Sequence, residues 1–135
     1  MPVDLEIVSP EKLLLSRPVD MVVIPAAEGE MGVLPNHAPA IVLLRGGTIR
    51  LYQGDTVTDT LFVSGGFAEV TPQRVTVLAT EVSLLSDLSR AEGERRLAAA
   101  QLEYDAADKA DVAALDAALD RIQSARALLD AAPPG

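Results

Sequence analysis

Two carboxylates and one histidine lie close together in the first half of the chain, and their types could support acid–base chemistry. Glu28 and Glu30 flank Gly29 in a predicted turn, and His37 is the one histidine of the sequence. A general acid and base need pKa values shifted toward neutrality, and burial is a usual cause of such shifts. A glycine-centred turn is typically exposed, so the pattern favours a contact surface or solvated side chains over a catalytic pair.

A catalytic triad or a histidine-ligated metal site would have to be built around His37. The sequence has no cysteine, which excludes disulfides, thiolate zinc sites and cysteine nucleophiles. We therefore predict a structural or interface role for His37, no catalytic residue and no metal. Gly65-Gly66 has neither the GxxxxGK[ST] pattern nor a following helix, so it predicts a bend in a sheet and not a phosphate loop.

A candidate anion site lies where the helical pattern begins. Asp87 and Arg90 fall on one predicted helix turn. They could be a helix cap and a solvated pair three residues apart. They could also bind a small anion or nucleotide, with Arg121 and Arg126 of a second helix completing the site. The residues by themselves leave both readings open.

Composition describes the framework that must position these residues. Of 135 residues, 49% are apolar and 3% aromatic, which predicts one domain with an appendage and an aliphatic core. The net charge of −9 argues against nucleic acid or anionic lipid as a partner. The N-terminus has no basic stretch before an apolar one, and no apolar run approaches the roughly 20 residues of a membrane span. We expect a soluble, cytoplasmic chain without direct membrane insertion.

Residues 1–85 are predicted to form an all-β domain. Val3 to Ile7 and Thr48 to Tyr52 alternate between apolar and polar residues, as half-buried strands do. Pro18 and Pro25 are interpreted as breaks between strands. Many short strands separated by turns predict an antiparallel sandwich or barrel.

Residues 86–135 are predicted to form an antiparallel α-helical hairpin, with helices at about 87–107 and 112–131. Ser86-Asp87 and the capping box of Ser89 to Glu92 both offer a start. The first helix is expected to present Leu97, Tyr104, Ala98 and Leu102 on adjoining faces. The second places Val112, Leu115, Leu119, Ile122 and Leu129 in one stripe, with Arg126 on the same seam, and Pro133 to Gly135 end it. Because the stripe is thin, the hairpin should need a partner surface.

Taken together, the chain resembles the epsilon subunits of F-type rotary ATP synthases. The resemblance spans essentially the full length and is carried by GEMGVLPNHAP (Gly29 to Pro39), SGGFAEV (Ser64 to Val70), VTVLA (Val75 to Ala79) and DLSRA (Asp87 to Ala91). It implies a sandwich of about ten strands followed by a helical hairpin. It also implies a non-catalytic rotor subunit on the central stalk.

The resemblance implies two interfaces on the sandwich. The turn of Glu28, Gly29, Glu30 and Met31 would face the c-ring of the membrane sector. The loop of His37, Ala38 and Pro39, with the sheet face near it, would lie near the gamma subunit. The chain would then be peripheral, on the cytoplasmic face of a bacterial plasma (inner) membrane, and would couple rotation of the ring to the stalk.

The resemblance also concerns regulation. In the family the hairpin can fold onto the sandwich or extend toward the alpha/beta catalytic head, and some members bind ATP between the helices. Asp87, Arg90 and Ala91 match the family's nucleotide pattern, and Arg121 aligns with the first arginine of the second helix. Ala125 occupies the second arginine position, and Arg126 is displaced by one residue, a rotation of about 100°. The resemblance therefore implies no cofactor beyond weakly bound ATP.

The sequence is consistent with three functions. The first is a coupling component of the rotor, and its hairpin is expected to inhibit ATP hydrolysis weakly or not at all. After Leu85 the chain has ten acidic and six basic residues, a net charge of −4. This negative charge would not favour binding of the hairpin to acidic loops of the head. The second is a nucleotide-sensing regulatory subunit. The third, an independent β-barrel enzyme, is disfavoured by the missing catalytic groups.

Overall fold

A computed structural model describes residues 2–10 and 12–132 as a β-domain followed by two helices. The β-domain has ten strands within these residues: β1 (Val3–Val8), β2 (Leu13–Val19), β3 (Met21–Ala26), β4 (Gly29–Val33), β5 (Ala40–Leu44), β6 (Gly47–Gln53), β7 (Thr56–Val63), β8 (Gly66–Val70), β9 (Arg74–Ala79) and β10 (Val82–Leu84). A 3-10 turn, Leu85–Asp87, leads to α1 (Arg90–Ala106) and α2 (Val112–Ala131). The predicted fold class is confirmed. Pro133 to Gly135, predicted to end the second helix, lie outside the described residues.

The strands form one sheet in the order β10-β7-β6-β3-β5-β8-β9-β1-β2, and β4 pairs with β3 beside this path. The described pairs are antiparallel except β1 with β9, which run parallel. The sheet bends over until its two halves meet. Arg17 on β2 forms an ion pair with Asp59 on β7, although these strands lie near opposite ends of the order.

The inward-facing residues of the bent sheet form one aliphatic core. Val3, Leu5 and Ile7 of β1 are fully buried, as their alternation predicts, and they share this core with Ile49 and Leu51 of β6. Burying each such side chain contributes about 1.5–3 kcal/mol to the free energy of folding. The core therefore holds the two halves of the sheet together.

The prediction that Pro18 and Pro25 separate strands is wrong. Pro18 lies inside β2, an edge strand, where a missing N–H costs no ladder hydrogen bond. Pro25 lies inside β3, where its partner changes: Met21–Val23 pair with β6, and Ala26 pairs with β5. Sheet order therefore decides that these prolines do not end a strand.

Helix α1 begins at the later of its two predicted starts. The Ser89 hydroxyl accepts a hydrogen bond from the Glu92 N–H at 3.2 Å, whereas Asp87 belongs to the 3-10 turn. Helix α2 is capped by Asp111, whose carboxylate accepts from the Ala114 N–H at 3.1 Å. These caps satisfy N–H groups that a helix start leaves without partners.

The predicted apolar stripes of the helices are partly wrong. Val112 and Leu119 are 65% and 48% exposed, Arg126 is exposed, and Leu102 of α1 is 70% exposed. Ile122 of the predicted stripe is buried, and the other buried residues of α2 are Ala118, Ser124, Ala125 and Leu128. Small residues face inward because the helices pack closely: a Cβ on Gly93 of α1 would lie 3.0 Å from Leu129 Cγ.

The hairpin lies folded on the outer face of the sheet near β6, β7 and β10. Arg96 of α1 donates two hydrogen bonds to Glu81, which precedes β10, at 2.9 and 2.7 Å. Phe62 of β7 is fully buried outside the aliphatic core. Its cross-strand partner Thr48 lines a groove with α2, so the hairpin covers this face. No helix in the described part of the chain is both long enough and apolar enough to cross a membrane.

Candidate functional site

The predicted turn of the carboxylate pair is the tip of the β3–β4 hairpin. Ala27 and Glu28 form the turn, and both are exposed. Gly29 has φ +141°, a backbone region that side chains disfavour, and no atom would meet an added Cβ there. The tip therefore projects from the sheet as an exposed, sharply turned loop.

The two carboxylates of this tip have different environments. Glu30 accepts hydrogen bonds from Arg50 of β6 at 2.7 and 3.4 Å, and this contact raises the pKa of Arg50. Among the described residues, Glu28 has no salt bridge. The structure therefore separates the predicted pair into one paired and one free carboxylate, an arrangement that suits contact better than proton transfer.

His37 lies in the loop between β4 and β5. Its Nδ1 lies 2.8 Å from the Ala38 carbonyl oxygen, so this nitrogen carries the donated proton. The preceding Asn36 adopts φ +68° and donates its N–H to the Pro72 carbonyl at 2.8 Å. Within residues 2–10 and 12–132, no carboxylate pairs with His37 and no cluster of His, Asp and Glu could hold a metal ion. These contacts fix the conformation of the loop, which lies at the surface of the domain.

An exposed apolar face lies next to this loop on β5 and β8. Ile41, Leu43 and Phe67 are 76%, 68% and 46% exposed, and Leu43 pairs directly with Phe67 across the two strands. A cluster of large exposed apolar side chains more often marks a surface that binds a partner than one that stays in contact with water. This exposed face could not be predicted from the sequence, because Ala40 to Leu44 is apolar on both sides of the strand.

The residues predicted to contact a nucleotide are spread over the hairpin. Asp87 and Ala91 are exposed near the start of α1, where Arg90 pairs with Glu94 at 3.7 Å. Arg121 of α2 pairs with Glu103, which lies near the other end of α1. Arg126 lines a different groove, opposite Pro25 and Arg45. In this pose the structure does not bring these residues into one site, and ATP binding stays a prediction.

A cleft of about 710 Å³ between the hairpin and the sheet is lined by charged residues whose proximity was not predicted from the sequence. Its arginines are Arg95, Arg96 and Arg121, and its acidic residues are Glu81, Glu103 and Asp120. The arginines pair with carboxylates: Arg96 with Glu81 and Glu92, Arg95 with Glu92, and Arg121 with Glu103. The signal for this network in the sequence is the spacing of Glu92 from Arg95 and Arg96, three and four residues along one helix.

The fold defines a class: a β-sandwich domain followed by a helical hairpin, with an exposed turn and an exposed apolar face. The family described as "ATP synthase, Delta/Epsilon chain, beta-sandwich domain" matches residues 2–84. The chain belongs to this family, and the resemblance stated from the sequence is confirmed.

Relatives over nearly the full length are named ATP synthase epsilon chain. The protein of Granulibacter bethesdensis is 65% identical over 128 residues, covering 95% of both chains. That of Gluconacetobacter diazotrophicus is 50% identical over 132 residues, covering 98% of this chain and 94% of the relative.

Among solved structures, a chain of the Euglena gracilis mitochondrial ATP synthase (OSCP/F1/c-ring) has a TM-score of 0.79 at 23% identity, covering 96% of this chain and 81% of that one. A chain of the Tetrahymena thermophila mitochondrial ATP synthase (central stalk/c-ring) has a TM-score of 0.64 at 13% identity, covering 98% of each. At these identities the likeness concerns the fold.

Proposed function

We propose that this chain is a non-catalytic central-stalk subunit of a proton-translocating F-type ATP synthase, which couples rotation of the c-ring to the gamma subunit. The observation that carries the proposal is its 65% identity, over 95% of both chains, to a protein named ATP synthase epsilon chain. As part of that complex, the chain would be peripheral on the cytoplasmic face of a bacterial inner membrane. Co-purification of the unaltered chain with the gamma subunit and the c-ring tests the proposal.

The bent sheet suits mechanical coupling. Torque passes between two partners only if the element between them does not shear. An aliphatic core packed as densely as an organic crystal resists such deformation, and here it joins strands from both halves of the sheet. The tip of Glu28 to Met31 would meet the c-ring, and the loop of His37 to Pro39 would meet the gamma subunit.

The exposed apolar face supports a gamma contact at Ile41, Leu43 and Phe67, beside the His37 loop. Leu43→Glu should weaken capture of the gamma subunit at least tenfold, because a carboxylate would be buried against an apolar partner. Val57→Glu is the matched control, since Val57 is 41% exposed at the start of β7. Equal capture by both variants would argue against this face.

The hairpin supports a regulatory role whose strength we propose to be low. Its folded pose leaves it on the sheet, and its net charge of −4 would not favour approach to acidic loops of the alpha/beta head. ATP hydrolysis by the assembled head should therefore change little between the full chain and a chain ending at Leu85. A several-fold rise on truncation would contradict weak inhibition.

A nucleotide-sensing subunit is the second candidate, and the cleft lined by Arg95, Arg96 and Arg121 favours it. Against it stands the pairing of these arginines with carboxylates, which a phosphate would have to displace. Calorimetric titration of the isolated chain with ATP separates the candidates. Micromolar binding that is lost in Arg121→Ala, which removes an arginine of the cleft, would support the sensor, and absent binding would support the coupling role.

A further inference from the structure

The Glu30–Arg50 ion pair spans three strands of the sheet. Arg50 of β6 pairs with Val23 of β3, and Glu30 of β4 pairs with Pro25 of the same strand. Val23 and Pro25 are two residues apart and share one face of β3. Glu30 and Arg50 therefore reach toward each other diagonally across β3, and their nearest atoms are 2.7 Å apart.

Strand β4 needs such a contact at its turn end. In the described sheet it pairs with β3 and has no strand on its other side. Its far end is fixed by Val33, which is fully buried, and by Met31, which packs against the core. The turn end, at Gly29 and Glu30, is held by its pairing with β3 and by the contact of Glu30 with Arg50.

We infer that Arg50 is a positioning residue, which holds Glu30 and thereby the tip of β4, and that Glu28 is the carboxylate the partner meets. The inference rests on the proposed contact between this tip and the c-ring, and within the expected contact of Glu28 to Met31 it assigns the direct contact to Glu28 and not to Glu30. With Glu30 neutralised by Arg50, the tip presents one free negative charge. A complementary ring surface then offers a single cation or hydrogen-bond donor to Glu28, and Glu30 acts through the stiffness of the tip.

A charge swap distinguishes positioning from direct contact. The variants are Glu28→Gln, Glu30→Gln, Arg50→Gln and the double variant Glu30→Arg with Arg50→Glu, each in the full-length chain. Hydrogen exchange at the Gly29 to Met31 amides of the isolated chain reports on the tip. Affinity for purified c-ring, measured with the gamma subunit bound, reports on the contact.

Glu30→Gln and Arg50→Gln should speed exchange at the tip by roughly two- to fivefold, the range for an exposed ion pair. Both should weaken ring affinity to a similar degree. The double variant should restore slow exchange and bring ring affinity to within about twofold of the unaltered chain. Glu28→Gln should leave exchange unchanged and weaken ring affinity more than either single variant.

The inference is overturned if the double variant restores slow exchange but not ring affinity, because Glu30 would then touch the ring itself. Unchanged ring affinity in Glu28→Gln would also overturn it. If the unaltered chain does not bind the ring, the proposed function fails. In that case the exchange rates still decide whether Arg50 positions the tip.

Discussion

Gln123 of α2 exchanges two hydrogen bonds with the backbone of Gly46, at the turn between β5 and β6. The Gln123 Nε2 donates to the Gly46 carbonyl at 2.7 Å, and the Gly46 N–H donates to the Gln123 Oε1 at 2.9 Å. Gly46 is buried, and an added Cβ would lie 2.5 Å from Ser124 Cα. The turn therefore allows the helix to approach closely, and the amide of Gln123 satisfies the peptide groups that the helix covers.

Gln123→Leu should weaken docking of the hairpin on the sheet. The substitution removes both hydrogen bonds and leaves a covered N–H and C=O without partners, at a cost of about 1–3 kcal/mol. Hydrogen exchange should become faster in α2, while the β-core amides should stay protected. Gln101→Leu, at an exposed position of α1, is the matched control. Identical exchange in both variants would show that Gln123 does not fix the hairpin.

Gly66→Ala should destabilise the sheet. Gly66 has φ +134°, and an added Cβ would lie 2.1 Å from the Leu78 carbonyl oxygen of the neighbouring strand. Backbone strain and this clash together should lower the free energy of unfolding by about 3 kcal/mol or more. Gly54→Ala is the control because Gly54, at φ +60°, has nothing within 4 Å of the added Cβ. Chemical denaturation should show a smaller loss for the control, and equal losses would refute the clash.

Phe62→Ala should separate the contribution of the hairpin-covered face from that of the aliphatic core. Phe62 is fully buried, and removing its ring should cost about 3–5 kcal/mol. The loss should fall first on the hairpin, so exchange in α1 and α2 should accelerate more than in β1. Phe67→Ala, at 46% exposure, should cost far less. A uniform acceleration through β1 would instead place Phe62 in the main core.

Glu92 should make the network around α1 sensitive to acid. Hydrogen bonds from Arg95, and then from Arg96, lower its pKa from 4.5 to about 2. A carboxyl with a lowered folded-state pKa stabilises the fold fully above about pH 4.5 and loses that contribution as pH falls to about 2. Denaturation of the unaltered chain and of Glu92→Gln, compared at several pH values, should give curves that converge over this range. Added salt should reduce the difference, since the group is near the surface. Parallel curves would exclude the contribution of Glu92.

The sequence by itself predicted the features that depend on neighbouring residues. Alternation placed Val3, Leu5 and Ile7 in the core, and the S-x-x-E spacing offered Ser89 as one of two helix starts, the one that the structure uses. These inferences hold because a strand or a cap is determined by side chains a few residues apart.

The tertiary structure decided what depends on residues far apart in the chain. Glu30 and Arg50 are 20 residues apart, and Gln123 and Gly46 are 77 apart. The neighbouring strands likewise decided that Pro25 does not end a strand. The elements packed against α2 decided which of its sides is buried. Helical periodicity predicted a face containing Val112 and Leu119, but close packing of α2 against α1 and the sheet buries Ala118 and Ala125. Sheet order and register bring such groups together, and neither can be read from local spacing.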